Sequence, residues 1–134
     1  MDQQMVTIMN ENRSGYLASI DKGRPRVRPF EFQFEESGRL VFCTNNKKEI
    51  FEQLTKNPDI EFSTTSPQMV TVRIQGKVRF KDDKKAKERI ISENKLVGSL
   101  YKTADNPIFE VFYLEHGDVI ISDFSGNPPR KFSF

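Results

Sequence analysis

The chain has 134 residues, with 21 Lys and Arg against 19 Asp and Glu and a formal net charge of +2. That length suits a single domain, 1–134, whose core needs no disulfide or metal staple, and the near-balance of charge argues against a dedicated nucleic-acid binder. With one cysteine, Cys43, and one histidine, His116, an intrachain disulfide and a thiolate metal cluster are excluded, and a His-based metal site or triad is disfavoured.

The opening residues have neither a basic start nor an apolar stretch of signal-peptide length. Apolar runs are too short to span a bilayer, so no membrane partner is expected, and a reduced, cytoplasmic setting is the default. Residues 3–11, QQMVTIMNE, suit a short helix with Met5, Ile8 and Met9 on one face. Residues 15–21 read as a first strand, and Gly23 and Pro25 punctuate a turn after it. Residues 26–36 give the clearest strand, with Phe30, Phe32 and Phe34 on one face and Glu31, Gln33 and Glu35 on the other. A turn at Ser37-Gly38 leads into a third strand, 37–45.

The period then changes. Ile50, Phe51 and Leu54 make a helical face over 46–58, ended by Asn57-Pro58. Residues 59–66 and 69–83 read as strands, the second kinked or bulged near Gly76. A charged helix spans 82–101, with Asp82 or Asp83 as its cap and Ala86, Ile90 and Ile91 as its apolar face. Residues 107–126 read as strand, turn, strand, and 130–134 as a last short strand. Consecutive strands joined by tight turns imply antiparallel pairing, so the fold class is mainly β with helices, a closed or split β-barrel.

Two basic segments sit at strand ends. One carries Arg24, Arg26 and Arg28. The other is TNNKKE, 44–49, where a strand hands over to a helix, and helix-start amides suit an anion. Thr44 and Asn45 are placed to cap or donate, and Lys47 and Lys48 to supply charge. If the second and third strands form a hairpin, Arg26, Arg28 and Pro29 lie beside Cys43, Thr44 and Asn45, and the two patches converge on one anion. The bland reading is a turn and a solvated helix start. Cys43 reads as a buried structural thiol, His116 as a surface turn residue, and Tyr16, Tyr101 and Tyr113 as core or interface rings.

The run RVRPF, then VFCTNNKKEIFEQLTKNPDIEFS, then VRIQGKV and a charged helix resembles, in order and spacing over roughly residues 15 to 126, the flavin-binding split-barrel family of pyridoxamine 5′-phosphate oxidase-like proteins. That group includes nitroimidazole-resistance reductases. The resemblance implies a homodimer with FMN in each of two clefts between subunits. Carried over, Arg28, Pro29 and Phe30 flank the flavin ring and ribityl, with Arg26 beside them. Cys43, Thr44 and Asn45 meet the ribityl-phosphate, Lys47 and Lys48 hold the phosphate, and Arg73 comes from the fifth strand. Many members have an Arg-Lys pair just after the Lys48 position, where this chain has Glu49 and Ile50, so either Lys47 and Lys48 take over the phosphate or phosphate binding is weakened. The true oxidases carry a longer C-terminal region with substrate-binding arginines, so a chain ending at Phe134 is expected to take another substrate. The implied activity is reduction of a small electrophile with electrons from a nicotinamide nucleotide. A non-enzymatic flavin- or haem-binding store or sensor on the same barrel is the alternative. A small nucleic-acid-binding barrel is a third reading, weakened because Phe30, Phe32 and Phe34 alternate with acids rather than bases.

Overall fold

The computed structural model describes all residues, 1–134. Helix α1 (Gln3–Glu11) starts where the Asp2 carboxylate accepts from the Met5 amide, and it buries Met5 and Met9. Strands β1 (Ser14–Asp21), β2 (Arg24–Glu36) and β3 (Arg39–Asn45) follow as hairpins, turned by residues with positive φ at Lys22-Gly23 and Ser37-Gly38. Helix α2 (Glu49–Lys56) connects to β4 (Asp59–Thr65) and β5 (Thr71–Phe80). Helices α3 (Lys84–Glu93) and α4 (Lys95–Tyr101) precede β6 (Phe109–Leu114), β7 (Asp118–Ser122) and β8 (Arg130–Ser133).

All pairings are antiparallel, in the order β4-β1-β2-β3-β6-β5. Because β5 also pairs with β4, these six strands close into a barrel, and β7 and β8 extend outward from β5. Closure removes the free edges that a flat sheet exposes. The strand β5 serves both ends by changing partner: Gly76 still faces Ile60 of β4, whereas Val78 faces Leu114 of β6. A side chain at Gly76 would begin 2.6 Å from the His116 carbonyl oxygen, so the residue is needed for close backbone approach.

Aromatic rings fill the barrel. Phe42 stacks on Phe112 at 5.5 Å between centroids and meets Phe62 edge-on at 5.2 Å. Each buried ring contributes on the order of 2–3 kcal/mol by removal from water. A second cluster lies outside the barrel, where α3 and α4 cover Phe34, Val41, Phe109, Val111 and Tyr113.

Two expectations are corrected here. The stretch 82–101 is not one helix: it breaks at Asn94, which ends α3 and caps α4 by accepting from the Val97 amide. Nor do the three phenylalanines of β2 share a face. The register shifts between Phe32 and Phe34, so Phe30 and Phe32 point into the barrel and Phe34 out toward α3. Asp83, not Asp82, caps α3, and its other carboxylate oxygen accepts from the Tyr113 hydroxyl.

Candidate functional site

The β2–β3 hairpin does not stay paired along its length. Pairing runs from Glu36↔Arg39 to Phe32↔Phe42 and stops. Beyond that point β2 bonds only to β1, and Cys43–Asn45 bond only to β6. The two strands part there, which splits the barrel wall.

The ladder pattern shows which groups face the split. The Phe32 amide donates to the Arg13 carbonyl, on the β1 side. In an antiparallel ladder Phe30 and Arg28 then turn their backbone groups toward β1, while Glu31, Pro29 and Val27 turn theirs toward the split. Pro29 has no amide to lose on that edge. On β3, the Asn46 amide donates to Ile108, so Cys43 directs its backbone groups toward the opening, while the Asn45 carbonyl accepts from the Lys48 amide. The result is a cleft with backbone donors and acceptors on both rims.

Its volume is about 320 Å³, and its walls include Pro29, Phe30, Glu31, Cys43, Thr44 and Lys48. Helix α4 adds Leu96, Val97, Leu100 and Tyr101. Thr44 follows Phe42 by two residues and points with it into the barrel mouth. Thr44 is only 3% exposed, and its Oγ1 has no hydrogen-bond partner. A buried hydroxyl left unpaired costs roughly 1–3 kcal/mol, so it is a group in need of a ligand atom.

Lys48 is the N-cap residue of α2 but offers no side-chain bond to the first turn. This corrects the expectation that Thr44 or Asn45 caps α2. Instead, Asn45 accepts from the Lys47 amide through Oδ1 and donates from Nδ2 to the Tyr101 hydroxyl at 2.9 Å. The α2 start therefore has no side-chain cap, and its two first-turn acids, Glu49 and Glu52, are paired with Arg26 and Lys56, which leaves the Lys48 ammonium and the helix-start amides for an anion.

A family model described as pyridoxamine 5′-phosphate oxidase matches residues 1–115. The chain belongs to that family. A NimC/NimA family protein from Clostridium acetobutylicum is 31% identical, with 98% of this chain and 91% of that one covered and a TM-score of 0.89. An FMN-binding protein related to pyridoxamine 5′-phosphate oxidase from Nostoc punctiforme is 18% identical, covers 96% and 87%, and has a TM-score of 0.70. A heme-binding protein from Mycobacterium smegmatis is 18% identical over 98% of this chain and 56% of that one, with a TM-score of 0.74. The last two likenesses speak to the fold. No curated protein matches the chain.

Of the residues that the sequence singles out, Pro29, Phe30, Cys43, Thr44 and Lys48 line this one cleft of the family barrel. Arg28 does not. Its side chain runs into the barrel mouth, where Nη1 donates to the Leu17 carbonyl and to Ser19 Oγ, and Nη2 donates to Gln53 Oε1 of α2. Burial first, and the neighbouring Arg26 second, lower the Arg28 pKa from its usual value, but an arginine stays charged. Arg26 pairs with Glu49 at 3.5 Å on the surface. Lys47 is exposed on the turn before α2, and Arg73 pairs with Glu61 on the outer face of the β4–β5 pair.

The Cys43 thiol is pushed up to about 12, chiefly by desolvation and then by Glu31, with Lys48 opposing. It is a poor nucleophile at neutral pH. The sequence reading missed Glu31, Gln33 and the α4 residues. The only signal for them was Asn94, a helix-capping residue inside a pattern otherwise fit for one helix.

Proposed function

We propose that the split holds FMN and that the chain is a flavin-dependent oxidoreductase acting as a homodimer. The observation that carries this reading is the pairing of an unpartnered, buried Thr44 Oγ1 with a Lys48 ammonium that joins no ion pair, both on the wall of one cleft.

Lys48 and the α2 amides would hold the phosphate, and Thr44 Oγ1 would donate to it or to the ribityl chain. The rim groups of Pro29, Glu31 and Cys43 suit the polar edge of a flat ring, with Phe30 beneath it. When bound, the flavin supplies hydride chemistry, while the protein binds, orients and excludes water. The FMN-binding description of the Nostoc protein supports this assignment. The heme-binding likeness supports the storage alternative less well, because His116, the sole histidine, lies between β6 and β7 and not on the cleft wall. Tyr16 and Val27, 60% and 69% exposed on neighbouring strands β1 and β2, support a covering second copy.

Gel filtration after incubation with FMN tests the reading. Flavin absorbance co-eluting with a dimer-sized protein, and bleaching when a nicotinamide nucleotide is added without oxygen, are the expected results. Flavin eluting free overturns the binding assignment. Bound flavin that no nicotinamide donor reduces favours the non-enzymatic alternative.

A further inference from the structure

Lys48 is not the only unpaired charge on the cleft wall. Glu31 lies there too, half-buried, on the outer face of β2. It joins none of the chain's ion pairs. Its position is nevertheless fixed. Asn94 Nδ2 donates to Glu31 Oε1 at 2.8 Å and also to Gln33 Oε1 at 3.1 Å. Gln33 is 3% exposed, and its own amide nitrogen donates back to the Glu31 carbonyl. The same Asn94 caps α4 through Oδ1. One partly buried polar knot thus holds the carboxylate and the helix that overhangs it.

That helix is apolar where it meets the cleft. Leu96 and Leu100 stand one turn apart, 66% and 62% exposed, with Val97 between them. A ligand under α4 would meet an aliphatic wall and a carboxylate whose second oxygen has no partner. Glu31 is half-buried, and a cation seated beside its free oxygen would gain a charge-assisted contact.

We propose that Glu31 is a specificity-determining residue, and that the α4 side of the cleft takes an apolar, nitrogen-based cation as substrate. In the flavin reading the backbone rims would serve the ring's own N–H and C=O groups. Glu31 is set apart from them by its bond to Asn94, so it remains for the second molecule. This inference rests on the flavin reading for the order of occupants: phosphate at Lys48, substrate cation at Glu31.

The test titrates FMN-loaded protein with benzylamine, benzyl alcohol and phenylacetate, following the flavin absorbance shift. The parent protein should bind the ammonium at least tenfold more tightly than the neutral alcohol, and phenylacetate most weakly. Glu31→Gln keeps an oxygen for Asn94 but removes the charge, and it should abolish the preference. Flavin occupancy is measured in each protein, so loss of cofactor is separated from loss of preference. Equal binding of ammonium and alcohol, or an unchanged preference in Glu31→Gln, overturns the proposal. Should the parent take up no FMN, the flavin reading falls. The same three probes, titrated calorimetrically against the apoprotein, then decide the cation site on the same two criteria.

Discussion

In the flavin reading, Thr44 is a single residue that trades stability for binding. Its hydroxyl is buried, unpartnered and on the same cleft wall as Lys48. Thr44→Val keeps the shape and removes the unpaired group. It should leave the apoprotein as stable or about 1 kcal/mol more stable while weakening FMN binding by about 1 kcal/mol. Thermal melts without flavin and a fluorescence titration with it measure both. A destabilised apoprotein would mean that the hydroxyl already has a partner. Cys43 makes a second residue-scale test. Its thiol is held near 12 in the folded chain against an ordinary value of 9.0. Between those values the folded state keeps a proton that the unfolded state has lost. Stability from this group is therefore intact below about pH 9 and declines as pH rises toward about 12. Urea midpoints at pH 8 and 10.5 should converge in Cys43→Val relative to the parent, and iodoacetamide should label the native thiol far more slowly than the unfolded one. Cys43 is half-buried on the cleft wall rather than fully buried as expected, and rapid native labelling would contradict a desolvated thiol there. Part of this wall was legible from sequence, since Thr44 and Lys48 at a strand–helix junction suggest an anion site. That Thr44 lacks a partner was not legible, because it depends on how the barrel mouth packs.

At the scale of elements, Arg28 works between β1 and α2. A basic strand entry reads naturally as a ligand contact, yet Ser19 and Gln53, 9 and 25 residues away, take up its guanidinium. Nothing local marks that choice. Ser19 and Gln53 are themselves buried and bonded to each other at 2.7 Å, which makes a polar clamp under α2. Arg28→Met should lower stability by about 2–4 kcal/mol through lost charge-assisted bonds. It should weaken FMN binding indirectly by loosening the helix that carries Lys48, and Arg28→Lys should restore part of both. A variant of full stability that no longer binds FMN would make Arg28 a direct contact instead. The break at Asn94 and the turned Phe34 were illegible for a similar reason. Ser92, Glu93 and Lys95 all tolerate a helix, and simple alternation predicts one face for Phe30, Phe32 and Phe34. The bonds among Glu31, Gln33 and Asn94 come from residues some sixty positions apart, and they decide both outcomes.

For the whole molecule, the sequence told more about strands than about their closure. Period-two runs and Gly-marked turns gave the hairpins, and antiparallel neighbours followed from short connections. The β1–β4 and β3–β6 pairings that complete the ring are made across longer stretches that periodicity does not encode. The split emerges only after closure, where β2 and β3 leave each other for different partners. The whole account turns on that split holding a phosphate-bearing flavin with its charge on Lys48. The most direct measurement is a fluorescence titration of the parent and Lys48→Ala with FMN and with riboflavin, which lacks the phosphate. The account predicts that the parent prefers FMN, that Lys48→Ala loses about 1.5–3 kcal/mol of FMN affinity, and that riboflavin binding changes little between the two proteins. Equal affinity of the parent for both flavins, or an FMN affinity untouched by Lys48→Ala, would contradict it.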